Sequence, residues 1–282
     1  MEANLRWAVL TSLAPIAWGS TYYITREFLP ADYPLYGAAL RALPAGMLLL
    51  LVSRRLPRGS WWWRSVVLGA LNMSAFFALV YLAAQLLPTS VASVIMASSP
   101  VAMMVIAWAL LSERPPGLHL IGACLGIVGV CTMMLTGAER LDMRGVLASL
   151  AAMSMSSLGY VLAKRWTTAT PVVATTSWQL IAGGLLLIPL AVTVEGSPPS
   201  LTARELASFA YVSVVATALA FAAWFTGLRH LPAGRVGLIG LLNPVTGVLL
   251  GTVVAAETLT LQQAGGIALV LIGIALGQHR RS

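Results

Sequence analysis

Residues Leu87 to Glu113 read LPTSVASVIMASSPVAMMVIAWALLSE, and Leu231 to Glu257 read LPAGRVGLIGLLNPVTGVLLGTVVAAE. Leu87-Pro88, Ser99-Pro100 and Glu113 of the first stretch return as Leu231-Pro232, Asn243-Pro244 and Glu257 of the second, each at a shift of 144. Both stretches are apolar between a Leu-Pro entry and a glutamate exit, with one proline near the middle. A long apolar run that occurs twice at half the chain length marks a duplicated unit.

Outward from this pair the chain continues in the same manner. Of 282 residues, 59% are hydrophobic and 9% charged, against about a quarter charged in soluble domains. That composition belongs to an integral membrane protein. The apolar runs are each roughly 18–22 residues long, enough to cross a hydrocarbon core of about 30 Å as helix. Ten spans are predicted: Leu5 to Ile24, Pro34 to Val52, Ser65 to Leu86, Thr89 to Leu111, Leu118 to Thr136, Met143 to Ala163, Val172 to Val194, Leu206 to Leu228, Pro232 to Val254 and Leu261 to Gly277. The short links between them leave no room for a soluble domain. The first span follows Arg6 but is too long for a signal peptide, so it is expected to remain in the mature protein.

The repeat also covers the opening of each half, at a shift of 137: Leu10, Ser12, Leu13, Ala14, Ser20 and Tyr23 meet Leu147, Ser149, Leu150, Ala151, Ser157 and Tyr160. The change from 137 to 144 places a gain of seven residues in the loop around Glu195 to Arg204. Five spans per half is an odd number, so the halves insert with opposite topologies about an axis in the membrane plane. The predicted fold is therefore all-α integral membrane: ten transmembrane helices as two inverted five-helix repeats around a central cavity, residues 1–138 and 139–282, in one membrane domain. Exchange of conformation between such halves turns a cavity open on one side into one open on the other. Pro100 and Pro244 are the expected hinges, because each frees a carbonyl four residues back, at Met96 and Gly240, inside the membrane.

Orientation follows from the cations, since Lys and Arg near helix ends resist translocation. Both termini and the even-numbered loops hold twelve of them and the odd loops four, namely Arg26, Arg140, Arg144 and Arg204. Both termini are thus expected in the cytoplasm, with the chain in the cell inner (plasma) membrane. The net charge of +8 is spread over several loops and tails, which does not make a nucleic-acid surface. Cys124 and Cys131, seven apart in one helix, are too distant to pair.

Chemistry at membrane depth is sparse. All nine acids, Glu2, Glu27, Asp32, Glu113, Glu139, Asp142, Glu195, Glu205 and Glu257, fall outside or at the ends of spans, so no buried carboxylate offers an ion relay. Glu113 and Glu257 fit helix-end salt bridges or caps. The only lysine, Lys164, follows Ala163, so no ATP-binding P-loop exists, and no HExxH or core Ser–His pair supports an intramembrane enzyme. Neither a cofactor nor a metal is expected. A nonconducting interaction subunit would use small-residue faces such as Gly122 to Gly126, Gly247 to Gly251 and Gly273 to Gly277, spacings that usually serve internal packing. Trp61, Trp62 and Trp63 beside Arg58 and Arg64 suit an interfacial anchor.

Trp18-Gly19-Ser20, Leu40-Arg41, Leu87-Pro88, Ser99-Pro100, Glu113-Arg114 and Gly122, followed by Leu231-Pro232, Asn243-Pro244, Glu257 and Gly266, form an ordered and twice-stated pattern. Over nearly its full length the chain resembles the drug/metabolite transporter superfamily in its ten-helix EamA-type exporter form. Within it the expected branch is that of the aromatic amino acid exporters, YddG, though no motif above specifies that substrate. The resemblance implies a basket with a central substrate cavity lined by spans 1, 3, 4, 6, 8 and 9, spans 5 and 10 at the back, and export as the direction. In place of the Trp18-Gly19 pair the second half has Met155-Ser156, which alters that wall.

The expected substrate-binding residues are Trp18, Tyr22, Asn72, Phe76, Met96, Ser99, Met155, Phe221, Trp224 and Asn243, with Arg41 as a further candidate. Trp18 with Tyr22, Asn72 with Phe76, and Phe221 with Trp224 share helix faces. Asn72 is an amide at mid-membrane and has to find partners in the bundle interior. Arg41 lies seven residues into the second span, where it can snorkel, pair with an acid or meet a carboxylate on the substrate. The expected activity is export of a small amphipathic metabolite, an aromatic or large apolar amino acid, with multidrug or nucleoside-type efflux as the alternative; the partners are that small molecule and the lipid bilayer.

Overall fold

The computed structural model describes residues 2–30, 32–87, 89–134, 142–166, 169–254 and 259–278. Among them every regular element is a helix. Along the chain α1 is Glu2–Phe28 and α2 Pro34–Ser53; α3 runs as Trp61–Gly69, a π-helical turn Ala70–Ser74, and Ala75–Leu86. Next come α4, in two segments Thr89–Ala97 and Ser99–Leu111, and α5, Gly117–Met134. The second set is α6, Met143–Trp166; α7, Val172–Glu195; α8, Ala203–Ser213, a π-helical turn Val214–Leu219, and Ala220–His230; α9, Ala233–Gly240 and Leu242–Val254; and α10, Leu261–Gln278.

Nine helices among the described residues are long and apolar enough to cross a membrane, and they comprise α2 to α10. α1 is the tenth, 27 residues long but more polar. Its hydroxyls carry little cost in lipid because they are spent on their own helix: Thr11 donates to the Trp7 carbonyl at 2.6 Å, and Ser20 and Thr21 donate to carbonyls three residues back.

Exchange of the two halves preserves which helices are neighbours. α1 lies against α8 and α9, and its counterpart α6 lies against α3 and α4. α2 packs on the π-turn of α8, while α7 packs on the π-turn of α3. Three helices meet their own counterparts, α2 with α7, α4 with α9 and α5 with α10, so the pseudo-two-fold axis passes between these pairs. The fold is that of two inverted five-helix repeats.

The α5–α10 contact is backbone on backbone. A side chain on Gly129 would stand 2.6 Å from the Gly266 carbonyl oxygen, and Gly122 meets Gly273 in the same way. Close approach of small residues lets dispersion act between helices where lipid supplies no hydrophobic drive. The small-residue face Gly122 to Gly126 is therefore used inside the molecule.

α4 and α9 break just before their mid-span prolines, whereas α1, α2 and α7 run unbroken through Pro15, Pro44 and Pro189. In α4 the Ser98 N–H reaches back three residues to the Ile95 carbonyl at 3.1 Å, and in α9 Leu241 does the same to Leu238 at 3.1 Å. A ring at the second or third residue of the new segment requires no N–H donor there. The Leu-Pro turns also match: Leu87 and Leu231 leave their helices in extended conformation, at φ −125° and −115°.

The two ends of the bundle are packed differently. At the end holding the start of α1, Trp7 stacks on His230 at 3.7 Å, and Glu113 pairs with Lys164 at 2.5 Å. The other Glu113 oxygen accepts from the Ala233 N–H at 2.8 Å, and Lys164 also donates to the Leu231 carbonyl at 2.6 Å. Here the first segment of α9 seats on the second segment of α4; a side chain on Gly237 would stand 3.0 Å from Cα of Pro100. The mirrored pair at the far end, Thr89–Ala97 and Leu242–Val254, makes no comparable contact. The bundle is sealed at the end of the α8–α9 turn and open at the end of the α3–α4 turn.

Candidate functional site

A cluster of rings occupies the middle of the bundle. Trp18 of α1 lies 5.0 Å from Phe221 and 5.2 Å from Trp224 of α8, and Tyr160 of α6 lies 5.4 Å from Trp224 and 5.9 Å from Phe225. Tilted and edge-on rings at these separations attract beyond the area they bury. The break in α9 brings Gly240 beneath this cluster, where a side chain would stand 3.2 Å from the Trp224 ring. Phe221 and Trp224 are buried, whereas Trp18 and Tyr160 are half-buried and form the accessible part of the surface.

The π-turns supply polar backbone to this site. In a π-turn the N–H bonds five residues back, so one carbonyl drops out of the helical ladder. Ala216, inside the α8 turn, accepts from Trp18 Nε1 at 3.1 Å and from Arg41 Nη2 at 3.2 Å. Arg41 Nε also donates to Thr217 Oγ1 at 3.0 Å, and its guanidinium lies 5.4 Å over the Phe77 ring. Trp18 and Arg41 thus share one acceptor, which fixes the guanidinium at the edge of the aromatic cluster. In the α3 turn Asn72, 1% exposed, donates to Gln179 Oε1 at 2.9 Å and rests on Gly159 of α6. The Asn72 amide joins α3, α6 and α7 and faces away from the accessible surface.

The remaining expected residues fall around this centre. Met96 and Ser99 flank the α4 break, both half-buried, and Pro100 is buried against Gly237. Asn243 and Pro244 follow the α9 break, with the Asn243 carbonyl packed on Gly19 of α1. Met155 is half-buried on α6. Phe76 meets Phe77 edge-on at 5.3 Å, and it is Phe77 that lies under Arg41. The Tyr22 side chain and Glu257 lie outside the described residues. Tyr160, Phe77, Gln179 and the Ala216–Thr217 step were not among the expected site residues. Only Tyr160 left a trace in the sequence, as the repeat mate of Tyr23.

Among the expected site residues three buried polar atoms have no hydrogen-bond partner in the protein: Nε1 of Trp224, a donor, and Oδ1 of Asn72 and of Asn243, both acceptors. Buried groups of this kind are rare, and their pairing with a ligand is one of the few ways to account for them. Among the described residues no group of three or more His, Cys, Asp or Glu could hold a metal.

Comparison with known proteins agrees with this architecture. The model of the EamA-like transporter family matches residues 5–135 and again 143–277, once per half. Protein PecM of Dickeya dadantii is 35% identical over 94% of this chain and 90% of its own length. A Bacillus subtilis protein named as the uncharacterized transporter YwfM is 30% identical over 97% and 94%. An Escherichia coli K12 protein named as the uncharacterized inner membrane transporter YedA is 26% identical over 94% and 89%. A solved crystal structure superposes with a TM-score of 0.84 over 96% of both chains at 19% identity, which shows a shared fold. With two copies of the family pattern, ten helices in mirrored packing and a ring-lined centre open to one side, the chain belongs to the EamA-like transporter family.

Proposed function

We propose that this transporter exports a small amphipathic metabolite, an aromatic or large apolar amino acid, by alternating access between its two halves. The observation that carries the reading is the aromatic cluster at the centre of the bundle. Trp18, Tyr160, Phe221 and Trp224 make an apolar, ring-lined wall, and the unpaired Trp224 Nε1 and Asn243 Oδ1 add one donor and one acceptor. A site of this kind suits a ligand with a flat apolar body and a polar head. Pro100 and Pro244 serve as hinges, since each follows a helix break through which the outer segment can swing without disturbing the inner one. With both termini in the cytoplasm of a cell inner membrane, as the cation bias favours, the sealed end faces inward and the state captured is open to the outside.

Purified protein in liposomes preloaded with labelled tryptophan, phenylalanine, leucine and alanine tests the reading. Efflux of the aromatic and large apolar amino acids well above protein-free liposomes is the expected result. Flux no faster than from empty liposomes for every amino acid removes it. Flux of planar drugs or nucleosides in their place moves the substrate to the efflux class.

A further inference from the structure

Arg41 is a cation inside the membrane whose partners in the protein are all neutral. It lies seven residues into α2 from Pro34, about 10 Å along the helix from the open end. Among the described residues the only ion pair is Lys164–Glu113, so none of the described carboxylates is paired with Arg41. The Thr217 hydroxyl, the Ala216 carbonyl and the Phe77 ring face hold it in place, and each of them solvates the charge without neutralising it. A charge kept at such depth without a counter-ion is costly and marks a functional position.

The way Arg41 is held leaves a specific part of it available. Nε and Nη2 form the side of the guanidinium fork, and that side is directed at the π-turn of α8. A guanidinium has five N–H donors, and the other edge, formed by Nη1 and the second Nη2 hydrogen, is not used by either bond. This edge has the spacing to take both oxygens of a carboxylate at once. Arg41 is half-buried rather than enclosed. It shares the Ala216 carbonyl with Trp18, so the guanidinium borders the aromatic cluster.

We propose that Arg41 is the receptor for a carboxylate on the transported molecule, with the aromatic cleft beside it taking the apolar body. This inference rests on the export reading above and narrows it to ligands with an anionic head. Trp18 couples the two parts, because its indole N–H and the Arg41 fork share the Ala216 carbonyl while its ring faces Phe221 and Trp224. The anion would come from the open side and meet Arg41 before the rings below it. A carboxylate there supplies the missing counter-charge at membrane depth.

The test separates head from body with three probes: indole-3-propionate, tryptamine and tryptophan. Stabilisation of the purified protein against heat, in detergent, reads binding without any flux. Indole-3-propionate and tryptophan are expected to raise the melting temperature and tryptamine to leave it unchanged. In Arg41→Gln the apparent affinity for both carboxylates should fall about tenfold or more, with Arg41→Lys retaining part of it. Thr217→Val keeps the charge and loosens its placement, so it should give a smaller loss of the same kind. Equal stabilisation by tryptamine and indole-3-propionate, or none by any of the three probes, overturns the proposal, and the wild-type comparison decides this even if Arg41→Gln does not fold. Carboxylate-selective stabilisation with no amino acid flux in liposomes would leave the anion site standing and sink the export reading instead.

Discussion

The α3–α4 and α8–α9 hairpins descend from the same repeat element, yet one is packed shut and the other is not. From Ala220 to Leu241 every residue is buried except Ala222, Thr226, Arg229, His230, Pro232 and Gly240. In the matching stretch from Phe76 to Ala97, only Ala83, Leu87 and Ala97 are buried among the described side chains. The difference is written in glycine. Gly227, Gly234, Gly237 and Gly240 of the shut hairpin stand where the other has Ala83, Ser90, Ser93 and Met96. Three of these glycines are in contact across the seal, Gly227 with Thr11, Gly234 with Met104 and Gly237 with Pro100. Each mirrored position carries a side chain in the sequence where the shut hairpin has only a hydrogen. Two halves of one design therefore close with different ease, and the unequal glycines bias the resting state toward a sealed α8–α9 end.

The sharpest way to break this asymmetry is to fill one of the glycines. In Gly227→Leu the new side chain collides with Thr11 at the α1–α8 crossing, where even a Cβ would stand 2.9 Å from Thr11 Cβ. Overpacking there should cost about 3 kcal/mol. A cysteine placed at Ile239, 2% exposed in the sealed state, is expected to become reactive to a hydrophilic maleimide when Cys124 and Cys131 are replaced by alanine. Continued protection of that cysteine would mean that glycine content does not set the seal.

Loss of the ion pair should open the same end less completely. Lys164→Met strands Glu113, and with side chains 16% and 27% exposed the cost is about 1–2 kcal/mol rather than that of a fully buried pair. Pairing it with Glu113→Gln should restore much of the protection of the Ile239 cysteine, because no charge is left alone. If the double variant labels as fast as the single one, the pair is decoration on a seal made by packing.

A third change probes the open half. Asn72→Ala leaves Gln179 Oε1 without its donor at a buried site and should lower thermal stability by about 1 kcal/mol or slightly more, with labelling at Ile239 unchanged. The smallest effect is expected from Trp18→Phe, which keeps a ring against Phe221 and removes only the indole bond to Ala216, worth about 1 kcal/mol at most. A few-fold rise in the concentration of amino acid needed for half-maximal efflux would measure it, and no change at all would show that Arg41 alone satisfies that carbonyl.

Much of the architecture was legible before any coordinates, because membrane spans and a tandem repeat are statements about apolar length and residue spacing. Glu113 was readable as a helix-end ion-pair residue on the same grounds. The π-turns were not readable. A change in backbone hydrogen-bond register leaves no mark in an all-apolar sequence, and the acceptor shared by Trp18 and Arg41 lies inside such a turn. The interior setting of Asn72 followed from its amide, but its partner Gln179 is 107 residues away and only the fold brings it near. Trp224 and Asn243 stood out in the sequence by type and spacing, whereas the missing partners of Trp224 Nε1 and Asn243 Oδ1 are visible only in three dimensions.

The π-turns of α3 and α8 begin at Ala70 and Val214, again 144 residues apart. Such a turn arises when one extra residue enters a helix, and two independent insertions would have no reason to choose the same register. The irregularity is therefore older than the doubling of the gene: a five-helix ancestor already carried it, and on pairing with an inverted copy of itself it brought two loosened carbonyl sites to the membrane's midplane. What later diverged was their use, for one copy came to brace an amide clasp and the other to cradle a cation.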